Sequence, residues 1–173
     1  VLAFRLILPM VILASAITHF ESFRLAPMSG MIEAKDKMIR ILLVEDSKFL
    51  RLATERALAR AGYEVSSAVD GDEALLLARQ KLPDLILLDM LLPKMSGPDV
   101  LKALKQDPST KLIPVVVMTG MSQKNADRLK QDGAFEFLEK STLELDKGSQ
   151  KLLTAVQEIL KLLPPAKAST TTA

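Results

Sequence analysis

Three carboxylates stand where short apolar runs end. Leu85-Ile86-Leu87-Leu88 leads into Asp89, and the run at 39–44, apolar but for Arg40, leads into Glu45 and Asp46. Runs this short, one of them bounded by Pro83-Asp84 before and Pro93 after, read as strands buried on both faces of a parallel sheet. Ligands of open α/β sheets bind outside the carboxyl ends of the strands. The three acids are therefore expected to converge at that edge, with Asp89 as the reactive centre and Glu45 and Asp46 as its metal-holding partners. Carboxylates held together repel one another and call for a cation, and hard oxygen donors suit Mg2+. Two more polar residues close apolar strands: Thr119 after Val115-Val116-Val117-Met118, and Lys140 after the run at 135–138. Taken singly, each has a plain structural reading, because strand ends are often polar and Asp89 alone could cap a helix. Their joint occurrence at the ends of four strands is what points to chemistry.

The intervening segments are those of an alternating α/β chain. Ser47 is placed to cap a helix whose apolar residues Leu50, Ala53, Ala57 and Ala61 recur at helical spacing until Gly62. A strand at 64–68 follows, then a helix with Asp70, Asp72 and Glu73 in its first turn, where the helix dipole favours acids, and with Ala74, Leu75 and Ala78 beyond. The loop 90–97 is long for a βα connection and leads, through Pro98, into a helix at 99–106. A fourth helix at about 122–131 has a weak stripe of Ala126 and Leu129 and ends at Gly133. A fifth holds Leu152, Leu153, Val156, Ile159, Leu160 and Leu163 on one side before Pro164-Pro165. Five repeats of strand then helix call for a parallel sheet with right-handed crossovers and helices on both faces.

Composition removes whole classes of function. Cysteine is absent, which excludes disulfides, thiolate metal sites and cysteine nucleophiles and is compatible with a reducing cytoplasm. The one histidine, His19, lies outside the expected domain, so a histidine triad, a zinc site or a phosphohistidine within it is excluded. Between residues 38 and 163 there are 18 Lys+Arg and 18 Asp+Glu, a balance that leaves no basic stripe for phosphate contacts; with no Trp for base stacking, nucleic acid is not expected as a partner.

The site residues and their surroundings resemble the receiver domain of two-component response regulators over about 39–163. The resemblance is carried by Glu45-Asp46 after the first strand, Asp89 after the third and Pro93-Lys94-Met95-Ser96-Gly97 in the next loop. Further on it rests on Pro114 with Thr119, and on Gly133-Ala134 leading to Phe137 and Lys140. It implies a flavodoxin-like, doubly wound five-stranded parallel sheet in the order 2-1-3-4-5 with five helices. It also implies that Asp89 is the phosphoacceptor, and that Asp46, Asp89 and the backbone carbonyl of Leu91 bind Mg2+ directly, with Glu45 helping through water. Lys140 would stabilise the transferring phosphoryl oxygens. Thr119 and Phe137 would be the switch, the hydroxyl moving toward the phosphate and the ring rotating inward behind it. The implied partners are a sensor histidine kinase or a His-containing phosphotransfer protein and a downstream protein target. Two departures stand out: Ser141 follows Lys140 where the family usually has proline, often with a cis peptide, and Gly120 follows Thr119 where alanine is commoner.

The expected organisation is an N-terminal extension at 1–37, the receiver domain at 38–163 and a disordered tail at 164–173. The extension has two main readings. Apolar residues at 6–17 after Arg5, with Ala14-Ser15-Ala16, look like a secretory signal or a membrane tether, although a span needs about 20 apolar residues. Alternatively the start is misassigned, and translation begins at Met28, Met31 or Met38. Membrane contact is expected only on the first reading; otherwise the expected location is the cytoplasm. With no room for an output domain after Leu163, the expectation is a stand-alone, chemotaxis-regulator-like receiver that catalyses only its own phosphorylation and dephosphorylation and signals through protein contacts. The rivals are a constitutive interaction scaffold and a Mg2+-dependent phosphatase-like enzyme. The latter lacks a second acid just beyond Asp89, where Met90 and Leu91 stand.

Overall fold

The central strand β3 (Leu85–Asp89) is buried at all five positions, as its unbroken apolar run requires. The computed structural model of the chain describes residues 38–120, 126–142 and 150–163; the expected extension, the start of the fourth helix and the tail lie outside these. Strand β1 (Arg40–Val44) lies on one side of β3 and β4 (Val115–Thr119) on the other, with β2 (Glu64–Ala68) and β5 (Glu136–Glu139) at the edges. The order is 2-1-3-4-5, all parallel, as expected. Register brings the strand ends level. Val44 faces Leu88, so Glu45 comes beside Asp89 one step on, and Thr119 faces Glu139, one residue before Lys140.

Alternate residues of the strands feed two cores. Ile41, Leu43, Leu85, Leu87, Val116 and Met118 pack with Leu58 of α1 (Lys48–Arg60) and with Leu152, Val156 and Ile159 of α5 (Gln150–Leu162). The other face meets α2 (Gly71–Lys81), α3 (Gly97–Gln106) and α4 (Ala126–Gln131) through Ala74, Ala78, Val100, Leu101, Leu104 and Leu129. Among the described residues no helix is long and apolar enough to cross a membrane.

Three details depart from the sequence expectation. The inward face of α1 is set by Thr54 and Leu58, four residues apart and in line with the half-buried Leu50, while Ala61 is exposed. Burying a leucine is worth more than burying an alanine, so Leu58 points most directly into the core and Ala53 and Ala57 flank it, half-buried. Helix α3 begins at Gly97 rather than at 99, capped by Ser96. Strand β5 runs one residue later than 135–138: Gly133, at φ 100°, turns the chain out of α4, and Phe135 makes the first bond to β4, its N–H to Val115 O at 2.8 Å, just before the strand begins.

Candidate functional site

Glu45, Asp46, Asp89 and Lys140 are delivered where β1, β3 and β5 end, the first two of these strands buried and β5 half-buried. Glu45 continues the β1 ladder, its N–H bonding Ala68 O at 3.1 Å, before Ser47 caps α1. Glu45 and Asp89 are 2% and 3% exposed, whereas Asp46 faces solvent. Carboxylate oxygens of all three lie within 4.8 Å of one another. Lys140, the first residue of the 3-10 turn Lys140–Thr142 after β5, reaches between the two buried acids. Its Nζ is 2.7 Å from Glu45 Oε2 and 2.8 Å from Asp89 Oδ2. The other oxygen, Asp89 Oδ1, accepts the Leu91 N–H at 3.2 Å. No peptide bond among the described residues is cis, so Ser141 follows Lys140 through a trans bond.

The electrostatics are those of an incompletely neutralised cluster. Burial pushes the Glu45 carboxyl above its usual range, outweighing the hydrogen bond and charge of Lys140 that pull it down. For Lys140, burial works to lower the pKa, but hydrogen bonds to Asp89 and Glu45 outweigh it and hold the ammonium above the ordinary lysine range. One ammonium against three carboxylates leaves a charge of −2. The donors are all oxygen and one of them is open to solvent, which fits Mg2+, an ion that binds through one or two carboxylates and keeps several waters.

Thr119, 1% exposed, closes β4 on the side of α3 and α4, and Phe137 lies on the same face of β5. Between them opens a cavity of about 260 Å³, lined also by Met90, Leu91, Pro98 and Leu129, with Arg128 and Asp132. All the expected site residues thus meet at one end of the sheet: Glu45, Asp46, Asp89 and Lys140 in direct reach of one another, and Thr119, Leu91 and Phe137 around the adjoining cavity.

Two supports were missed in the sequence. Arg51 Nη1 donates to the carbonyls of Glu45 and Asp46 at 2.9 and 3.1 Å and so anchors the loop that carries both acids. Its place four residues after the cap Ser47 is the only signal, and it is a weak one. Gly97 is required by contact: a Cβ there would sit 2.4 Å from Met90 Cα and 2.5 Å from Asp89 O. The β3–α3 loop is therefore pressed against the backbone of Asp89 and Met90, which the place of Gly97 in the loop motif did not suggest.

Residues 41–155 match the response regulator receiver domain. PleD, a response regulator of Caulobacter vibrioides, is 44% identical over 103 residues, which is 58% of this chain and 22% of PleD, so the chain spans less than a quarter of that relative's length. DivK of Brucella anthropi, a polar-differentiation response regulator, is 37% identical over 101 residues, 58% of this chain and 82% of DivK. Among solved structures, the chemotaxis response regulator CheY4 of Vibrio cholerae superimposes with a TM-score of 0.64 at 32% identity, covering 70% of this chain and 98% of CheY4.

Proposed function

The chain belongs to the response regulator receiver domain family, and from that membership we propose that it is a phosphorylation-switched signalling protein whose phosphoacceptor is Asp89. The observation that carries this reading is the contact of Lys140 Nζ with both Glu45 and Asp89, inside a cluster whose third acid faces solvent. In the reaction an Asp89 oxygen attacks phosphorus, the bond from phosphorus to the donor breaks, and an aspartyl phosphate forms. Lys140, already bonded to Asp89 Oδ2, is placed to follow the negative charge onto the phosphoryl oxygens, so the protein's contribution is mainly position and electrostatics. Asp46, Asp89 and the Leu91 carbonyl, with Glu45 beside them, would hold Mg2+, which when bound would supply the positive charge that an anionic phosphoryl group needs. Thr119 then turns its hydroxyl to the phosphate, and Phe137 moves into the cavity that both residues line.

Receiver domains interact with histidine kinases or phosphotransfer proteins and with downstream targets. For this chain we take a phosphohistidine of such a protein as donor and a protein surface as output, in the cytoplasm, with 38–163 as the functional unit. The test is to incubate the protein with Mg2+ and a small acyl phosphate and to look by intact mass for one added, hydroxylamine-sensitive phosphoryl group. Formation that is abolished by EDTA supports the proposal. No adduct at saturating Mg2+, or an adduct indifferent to EDTA, would sink it.

A further inference from the structure

The loop between Asp89 and α3 is gripped a second time, by a group outside the cluster. Lys94, in the middle of that loop, has φ 65°, a left-handed backbone that a side chain with a Cβ seldom adopts. Its Nζ bonds Asp70 Oδ2 at 2.5 Å. Asp70 is 6% exposed and already committed at its other oxygen, where Oδ1 accepts the Glu73 N–H at 2.9 Å as the N-cap of α2. The neighbouring residues interlock as well: a Cβ on Gly71, the first residue of α2, would fall 2.8 Å from Met95 Cβ. Lys94 and its carboxylate thus tie the start of one helix to a loop that leads straight back, through Pro93 and Leu92, to Leu91.

We propose that Lys94, through its bond to Asp70, is a positioning residue that holds the β3–α3 loop in the conformation presenting the Leu91 carbonyl to Mg2+. The proposal rests on the receiver reading of the site. The loop's two ends are fixed by backbone contacts, Gly97 N–H to Met90 O at 3.2 Å and Leu91 N–H to Asp89 Oδ1 at 3.2 Å. Across its middle the Met95 N–H bonds Pro93 O at 2.8 Å, closing a turn over Lys94 at its strained φ, and the Lys94 side chain ties that turn to Asp70; with the tie gone the turn is free to shift and to carry the Leu91 peptide with it. Simple charge makes the opposite forecast, because Lys94 is a cation on the same side of the sheet as the metal site and its removal alone tightens Mg2+ binding. The sign of the effect therefore separates a clamp from a through-space charge.

The experiment is an isothermal titration of the 173-residue chain with MgCl2, for the parent and for Lys94→Gly, Lys94→Arg and Asp70→Asn, with a urea midpoint for each. Glycine accepts the left-handed backbone and removes the amine, so relieved strain offsets at least part of the bond lost at Asp70 and the urea midpoint of Lys94→Gly stays near the parent's. Its Mg2+ affinity is expected to fall roughly 10-fold, the low end for groups that orient metal ligands. Asp70→Asn retains a helix cap but not the charge and is expected to weaken Mg2+ in the same direction, while Lys94→Arg stays near the parent. Lys94→Gly with unchanged or tighter Mg2+ binding overturns the clamp while leaving the receiver reading intact. A parent that binds no Mg2+ overturns that reading and the clamp with it.

Discussion

The two edges of the sheet both pair acids with cations, yet they treat the charge in opposite ways. At the amino edge Asp107 accepts from Ser109 Oγ at 2.6 Å, Ser109 N–H at 2.9 Å and Arg79 Nε at 2.7 Å, and these bonds lower its carboxyl to a pKa of about 2. Nearby, Arg40 is wholly taken up by structure: Nε on Asp84 at 3.4 Å, and Nη1 and Nη2 on the carbonyls of Lys81 and Leu82 at 2.7 Å each. At the carboxyl edge Glu45 has an ammonium at 2.7 Å and its pKa is still raised, because burial outweighs the partner. Donor count and water decide the difference. An edge whose charges are all satisfied is a fastening; an edge with a buried surplus of negative charge is a site waiting for a cation.

The largest effect that should follow from this contrast belongs to Asp89. Asp89→Asn removes the nucleophile and part of the surplus charge while keeping the volume, so acyl phosphate formation should vanish and metal-free stability should not fall. Persistent hydroxylamine-sensitive phosphorylation of that variant would falsify the assignment. Next comes Lys140→Met. Without metal, two buried acids are left facing each other, a loss of about 3 kcal/mol, the low end for breaking a buried pair. Because Mg2+ then meets no competing ammonium, it should bind more tightly than to the parent and restore much of the loss, measurable as urea midpoints with and without MgCl2. Phosphorylation should nonetheless be on the order of 100-fold slower, since the charge that follows the phosphoryl oxygens is gone. A variant as unstable with Mg2+ as without it would show that Lys140 is a fastening like Arg40.

Arg40→Met makes the complementary test at the other edge. The loss leaves the carbonyls of Lys81 and Leu82 without their guanidinium donor, at a helix end where Leu82 already sits at φ 44°, and about 1–2 kcal/mol of stability should go with it. Mg2+ affinity and phosphorylation should stay at the parent level. If they fell in step with stability, the two edges could not be treated as separate.

The carboxyl edge was legible in the sequence for a local reason: a polar residue after an apolar run marks a strand end, and Glu45, Asp89 and Thr119 each follow one. The same rule put the strands within one residue of their observed bounds at β1, β3 and β4. What failed was whatever depends on distant partners. That Lys140 bonds Glu45 as well as Asp89 joins residues 95 positions apart, and no local pattern encodes it. Arg40 looked like a flaw in an apolar strand, although its guanidinium caps a helix 41 positions on. Lys94 belonged to a recognisable loop motif, but its carboxylate lies 24 positions upstream, on an aspartate that the sequence offers only as one of several acids near a helix start. The buried face of α1 was misjudged because spacing alone ranks alanine with leucine, while packing does not.

The smallest effect is expected at Asp107, and it carries the sharpest sign. Its folded pKa, about 2, lies below the ordinary 3.8, so between those values the unfolded chain binds more protons than the folded one. The stability contributed by the Asp107 bonds is therefore complete above pH 3.8 and is lost as the pH falls toward 2. Asp107→Asn cannot titrate, so its urea midpoint should fall less steeply than the parent's across that window. At neutral pH it should be slightly less stable, because the charge-assisted bond from Arg79 is gone. Phosphorylation of Asp89 should not change, since Asp107 caps the C-terminus of α3, in the loop that leads to the amino end of β4, and the acid cluster lies at the opposite end of the strands. Matching acid limbs in parent and variant would mean that Arg79 and Ser109 do not hold this carboxylate in solution. The contrast would then rest on the buried edge alone, where Glu45 keeps a raised pKa with its cation in contact.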